Sequence, residues 1–432
     1  MSFMMRVRPA LAAVLLVALP AVAAAQAADP STVEVGILDV LLARGLIDQA
    51  QYEELLALAR ARAADARGEI ELLEGRLARL RAPDLQTSGG QAGKLLFKSS
   101  DGKWSLGLKG RIQARTEHVD ADDDTKDGTN LSVPRARLGL EGSAGAENVG
   151  YKLEFDLNTN KKLEDPAKEG TLNLRHAFIN WGFENGAQLI LGQTKFPFGR
   201  EALTSSGAIS LAERSIVASE FFPEYEPLAM LQGTADDAEW EWYVATSNGE
   251  GRGKNNTPGD GKNGLRRGAR VVWNPLGKFK LDGPAFQTLD SGETRVALGA
   301  SWMRNADSSG LSTATMDVDS ESLGLEVQAL SGPWSALYEN VSRDEHDEVG
   351  ADDDDDGQSL QVGCFLDQRW ELVARRAEVD YDSKADKDER AVGLNYYVDK
   401  HNGKWQLEWN VQETEDAASE VKTLRLQYQL VF

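Results

Sequence analysis

The sequence predicts an all-β fold, a transmembrane antiparallel β-barrel of about sixteen strands preceded by an N-terminal α-helical coiled-coil arm. Three observations predict it. Beyond residue 94, apolar and polar residues alternate in run after run, as they do along strands with one greasy face. The connections between these runs alternate between long and polar and short and tight. The chain opens on an export signal, and no later stretch reaches the roughly 18 apolar residues of a spanning helix. A closed barrel is the other structure that satisfies its own backbone in lipid.

The export signal is Met1 to Ala25. Arg6 and Arg8 give a cationic start, Ala10 to Leu19 a short apolar core, and Ala23-Ala24-Ala25 or Ala25-Gln26-Ala27 a small-residue cleavage site. The formal net charge of −22 argues against nucleic acid as a partner. The single cysteine, Cys364, excludes an intrachain disulfide and a Cys-rich metal cluster. His118, His176, His346 and His401 have no ligand spacing, and no Ser-His-Asp set or paired-carboxylate cleft is evident. An enzyme reading has no positive support, and no cofactor or metal is expected.

The arm spans residues 33–82. Gly45 separates a short helix, Val35 to Ala43, from a long one that Asp48 is placed to cap. Along the second, Tyr52, Leu56, Ala59, Ala63, Ala66, Ile70, Leu73, Leu77 and Leu80 keep a 4–3 spacing, the seam of a coiled coil. It would extend about 40 Å at roughly 1.5 Å per residue. Pro83 stops the helix, and residues 83–93 form a polar, Gly-rich linker.

The barrel spans residues 94–432. In the first strand Trp104, Leu106, Leu108, Ile112 and Ala114 share one face, and Lys109, Arg111, Gln113, Arg115 and Glu117 the other. Ala136, Leu138 and Leu140 then stand against Arg135, Arg137 and Glu141, and Tyr151, Leu153, Phe155 and Leu157 against Lys152, Glu154 and Asp156. The pattern returns to the end, where Leu424, Leu426, Tyr428, Leu430 and Phe432 alternate with Arg425, Gln427 and Gln429. The long connections are placed at Val119 to Asn130, Asn160 to Gly170, Asn248 to Gly264, Asp344 to Gly357 and Tyr381 to Glu389. Asn274 to Glu293 breaks the alternation, being long where a short turn is due. A soluble all-β protein would share the two-faced strands. Strand count, loop alternation and the aromatic end of the chain favour the membrane.

Four motifs, in order, carry a resemblance. They are Pro134 to Gly142 (PRARLGLEG), Leu174 to Ile179 (LRHAFI), Leu191 to Glu201 (LGQTKFPFGRE) and Ala212 to Ser215 (AERS). From about Lys94 to Phe432 the chain resembles the phosphate-selective porins O and P of Gram-negative outer membranes. The resemblance implies a sixteen-stranded homotrimeric barrel in outer-membrane lipid, with arginines lining its mouth and a loop folded inward. It also implies that Phe432 is the signal read by the barrel-insertion machinery. One departure is that Phe222 to Pro227 (FPEYEP) is acidic where the family usually brings an arginine.

The chemistry expected of such a pore is selection by lining charge, basic linings favouring anions. The candidate lining residues are Lys109, Arg111, Arg115, Arg135 and Arg137 on the first two strands, with Arg270 and Arg295 later. Arg200 and Arg214 lie in the Phe196-to-Pro227 connection, the natural inward loop. For each arginine the plainer expectation is an ion pair with a lumen acid such as Glu141, Glu154 or Asp156. The acidic runs Asp120 to Asp124 and Asp352 to Asp356 are expected in outer loops as solvated faces. Gly249 to Gly268 is a basic, Gly-rich outer loop without the order of a phosphate cradle. The function expected is diffusion of small anions, phosphate or a similar oxyanion. The competing expectation is a structural barrel whose arm tethers the membrane to the cell wall.

Overall fold

A computed structural model describes residues 38–80, 86–87 and, from 95 to 432, all but 100, 102, 123–126, 146–147, 158–172, 236–238, 250, 253–263, 280–291, 310–316, 348–351 and 416–418. The export signal, most of the linker, and the connection at Asn160 to Gly170 lie outside the described residues. So does most of the basic segment Gly249 to Gly268. The chain divides into two units, Met1–Ala82 and Pro83–Phe432.

In the first unit, residues 38–43 are helical, Gly45 turns the chain at φ 64°, and a 32-residue helix runs Gln49–Leu80. Asp48 caps it as the sequence predicts. Its Oδ1 accepts from Gln51 N at 2.8 Å, while Gln51 Oε1 accepts from Asp48 N at 3.1 Å, a reciprocal box. Tyr52 and Leu56 of the seam are half-buried and Ala59 is buried, and the Tyr52 hydroxyl reaches Asp39 at 2.6 Å. One copy of the chain shows this helix and not a coiled coil. No described helix is long and apolar enough to cross a membrane.

The second unit is a single antiparallel sheet. Two short strands, β1 (Gln86–Thr87) and β2 (Leu95–Lys98), precede β3 (Ser105–Ala121), β4 (Gly128–Ser143), β5 (Val149–Asp156), β6 (Asn173–Gly182), β7 (Gln188–Lys195) and β8 (Tyr225–Ala235). Then follow β9 (Trp240–Ser247), β10 (Arg266–Leu276), β11 (Arg295–Ser309), β12 (Asp317–Ser331) and β13 (Trp334–Asp347). The last five are β14 (Asp352–Phe365), β15 (Trp370–Asp380), β16 (Lys387–Asp399), β17 (Gly403–Thr414) and β18 (Ser419–Val431). Neighbours in sequence pair from β3 onward, and β18 returns to β3, so sixteen strands close the barrel. Closure leaves no edge of unpaired amides to face lipid. At the seam Phe432 exchanges two backbone hydrogen bonds with Gly110, and its ring lies where a Gly110 Cβ would be, 2.4 Å away.

Register decides which face is in. Leu372, Leu394, Leu407 and Leu426 stand side by side across β15 to β18 and point outward, Leu372, Leu407 and Leu426 being 42–46% exposed. The adjoining inward row is Glu371, Asn395, Gln406, Gln427 and Arg115. Near the short turns Trp370, Tyr396, Trp405 and Tyr428 form a lateral aromatic row, the girdle position of a membrane barrel. The greasy face is therefore outside and the charged face inside.

Two expectations are corrected. Asp352 to Asp356 is not an outer loop but the start of β14, paired in register with β13. The pleat turns alternate aspartates opposite ways, so Asp355 is buried inward against Arg343 while Asp354 and Asp356 stay exposed. The Asp344-to-Gly357 connection accordingly shrinks to residues 348–351. The exception at Asn274 to Glu293 does fall on the short-turn side, but its first three residues belong to β10, which runs to Leu276 before the connection to β11; 280–291 are outside the described residues.

Candidate functional site

Between β7 and β8 the chain turns into the barrel, carrying two short helices, Arg200–Leu203 and Ile216–Phe221. Phe196, Phe198 and Val217 are fully buried there. The apolar side chains of this loop meet wall positions that have no side chain. Phe198 stands over Gly324 and Phe221 over Gly357, where an added Cβ would lie 3.1 and 2.5 Å from the ring. Phe196 meets Gly268, and Leu211 meets Gly393, in the same way.

Polar contacts then fix the loop along the wall. Five glutamates, on β12, β13, β15, β16 and β17, each hold it. Glu326 accepts from Arg200 Nε at 2.9 Å, and Glu339 accepts from Arg200 N at 2.6 Å and Glu201 N at 3.2 Å. Glu371 accepts from the Ser210 hydroxyl at 3.2 Å, Glu389 from Ile216 N at 2.8 Å, and Glu408 from Ala212 N at 2.6 Å. These bonds lie in places closed to water, where the loss of a partner costs much more than it would at the surface. Glutamines continue the clamp toward β3: Gln406 Nε2 donates to Ser210 O at 3.0 Å and Gln429 Nε2 to Gly207 O at 2.9 Å.

Opposite this clamp the loop faces a basic wall on β3 to β7. Arg111 donates to the Ser205 and Ser206 hydroxyls at 3.3 and 3.0 Å, and its Nε has no hydrogen-bond partner among the described residues. Lys195 donates to the carbonyls of Ala202, Leu203 and Thr204. Arg214, from the loop itself, donates to the carbonyls of Glu201 and Thr204 at 3.0 and 2.7 Å. Burial pulls the Arg214 guanidinium below its ordinary value although Glu201 is near. Among the described residues, none of these three cations makes an ion pair; their partners are neutral oxygens.

The other cations are compensated. Lys109 pairs with Glu141 at 2.9 Å, and Arg137 with Glu154 and Asp156 at 3.5 and 3.3 Å, as the plainer expectation had it. Arg115 and Arg135 share Glu213 of the loop at 2.6 and 2.5 Å. Burial would raise the Glu213 carboxyl, but Arg135 and Arg115 outweigh it and hold it at about 2.

The structure thus gathers Lys109, Arg111, Arg115, Arg135, Arg137 and Arg214 at one wall of the lumen. It does not bring Arg200, Arg270 or Arg295 there. Arg200 and Arg270 are 2% and 0% exposed and both close on Glu326, so they anchor the loop rather than line a passage. Arg295 sits near the short-turn end, donating to Lys278 O at 3.0 Å and pairing with Glu293. Sequence reasoning missed Arg175, Lys195 and the five clamping glutamates. Arg175 and Lys195 lie inside two of the quoted motifs, but at strand irregularities where alternation no longer tells the face. Arg175 sits in the register shift between β5 and β6, and Lys195 where the chain leaves the wall.

The model of the phosphate-selective porin O and P family matches residues 106–432. No curated protein matches the chain. Among solved structures it is similar to an anion-selective porin from Comamonas acidovorans, with a TM-score of 0.57 at 12% identity, covering 76% of this chain and 100% of that one. It is similar also to the outer membrane channel DcaP of Acinetobacter baumannii (TM-score 0.51, 14% identity, 78% and 99% covered). A third is the in-vitro folded, trimer form of OmpT, an outer membrane protein of Vibrio cholerae (TM-score 0.50, 12% identity, 76% and 99% covered). Likeness at such identities speaks to the fold alone.

Proposed function

The chain belongs to the phosphate-selective porin O and P family, whose members are outer-membrane channels and not enzymes, and from that premise we propose that it passes small oxyanions of the phosphate kind by diffusion. One observation carries the proposal. Arg111, Lys195 and Arg214 converge on the loop segment 201–207 with hydroxyl and carbonyl oxygens as partners and no ion pair among the described residues. Cations in a narrow, partly desolvated passage attract anions far more strongly than they would in open water. Their donors are already arrayed in the way an oxyanion is held, by several N–H groups at once. The acidity of the chain does not oppose this, because five lumen glutamates hold the loop while Glu141 and Glu154 pair with Lys109 and Arg137.

The finer assembly follows the same reading. The seam of the helix Gln49–Leu80 joins three copies in the periplasm, in keeping with the trimer form of a protein of similar fold. Phe432, at the barrel seam, serves as the insertion signal. The test is inorganic phosphate added to a chloride-conducting channel in a planar bilayer. Phosphate in the millimolar range is expected to lower the chloride current by occupying the basic wall. A chloride current untouched by phosphate would refute the oxyanion preference while leaving the porin in place.

A further inference from the structure

The connection that leaves β10, long where short turns are the rule, carries an aromatic ring into the lumen. Gly277 turns the chain at φ 68°, and an added Cβ there would lie 2.8 Å from Arg295 Cγ, so neither the backbone nor the space suits a side chain. Arg295 ties both described ends of the connection, donating to Lys278 O at 3.0 Å and pairing with Glu293 at 3.5 Å. Phe279 follows and is buried with Val272 of β10, Ala297 of β11 and Leu330 of β12. Val272 stands in one lateral row with Gly299 and the loop-holding Glu326, and Ala297 and Leu330 share their parity, so all three face inward. Against the Phe279 ring lies Arg200 of the inward loop, its guanidinium 5.5 Å from the centroid.

The inside of a water-filled barrel is polar. Three inward apolar residues under one ring mark a part of this lumen that water does not reach. On β3 and β4, by contrast, the Lys109 and Glu141 side chains stay 34% and 28% exposed. We infer that Phe279 is a specificity-determining residue of the channel. Its bulk stops the lumen between the inward loop and the wall of β10 to β12, so that solutes pass along the basic wall of β3 to β7. Salt screens wall cations beyond about 8 Å at physiological ionic strength. A second water column along β10 to β12 would therefore pass ions of either sign unsorted. This rests on the proposed passage of oxyanions and names the residue that confines them to the charged side.

The experiment compares wild type with Phe279→Ala, Phe279→Val and Phe279→Met. Three quantities are read: the chloride-to-potassium permeability ratio in planar bilayers, the swelling of liposomes in neutral sugars of increasing size, and protease cleavage between Phe196 and Pro227. Phe279→Ala should bring the permeability ratio toward one and admit sugars that wild type excludes. Its inward loop should stay as protected as in wild type, because the wall glutamates still hold it. Phe279→Val should move both transport readings the same way to a smaller degree, and it carries the test should the alanine variant not fold. Phe279→Met, which keeps most of the bulk without the ring, should match wild type. Alanine and valine behaving as wild type would overturn the inference, as would methionine leaking as badly as alanine. A leak that comes only with faster loop cleavage would overturn it too, since the loop and not the ring would then be the stop. If wild type itself prefers potassium, the oxyanion passage has failed. Sugar swelling does not depend on charge and still decides whether Phe279 stops the lumen.

Discussion

Arg111 ends on two serine hydroxyls and Arg270 on Glu326, and the partner sets what each arginine can do. A guanidinium bonded only to neutral groups keeps its full charge for a passing ion, whereas one locked in a buried pair is electrostatically silent outside it. Arg111→Gln should therefore move the zero-current potential in a salt gradient toward zero with little change in thermal stability. Arg270→Gln should leave that potential where it is and cost on the order of 3 kcal/mol in stability, since Glu326 loses part of its compensation. Glu213 gives a third case. It neutralises part of the charge of Arg115 and Arg135, so Glu213→Gln should raise preference for anions. Its folded value, about 2, is below the ordinary 4.5. The stability it lends the loop is thus fully present above about pH 4.5 and is lost as pH falls toward 2. Acid titration of loop protection from protease reads this directly, and the Gln variant should lose the acid-dependent step.

Among the elements, the inward loop is held as a fixed body and not as a hinged flap. Its apolar side chains occupy wall glycines, and its backbone amides at Arg200, Glu201, Ala212 and Ile216 are met by wall glutamates. A Cβ branch at Gly357 would strike the Phe221 ring, since even one Cβ would sit 2.5 Å from it; overpacking of this kind typically costs about 1–3 kcal/mol. Gly357→Val should free that end of the loop, seen as current noise in single channels and faster cleavage between Phe196 and Pro227, with the barrel's circular dichroism intact. The long helix Gln49–Leu80 makes a separate prediction. If its seam serves assembly, removing residues 33–82 should leave the conductance of each pore unchanged and weaken trimers. Loss of attachment between the outer membrane and the cell wall in that deletion would instead favour the tether.

For the molecule as a whole, a barrel was legible because its rule is local. Two-residue alternation such as Leu424-Arg425-Leu426-Gln427 states the strand, and the count of such runs states closure. Asp48 and Gly45 announced the helix boundaries for the same reason. The lining arginines were half-legible: alternation placed Arg111, Arg115 and Arg137 on the inner face, but it could not say which would find a carboxylate. That depends on contacts between residues far apart, as when Glu326 meets Arg200 across 126 positions or Glu408 meets Ala212 across 196. The same distance hid why so acidic a chain can present a basic wall. The net charge of −22 counts every carboxylate equally, whereas only those left unpaired in the passage act on an ion. Arg270 and the aspartates of β14 were misplaced for one further reason: a residue's face can be read from parity, but its depth cannot.

The most direct test is the zero-current potential of the purified wild-type protein in a planar bilayer, with potassium chloride more concentrated on one side. A basic wall requires chloride to carry most of the current, so the potential should take the sign set by chloride and move toward zero as salt rises and screens the cations. A potential of the opposite sign, set by potassium at every salt concentration, would contradict the passage of anions along Arg111, Lys195 and Arg214.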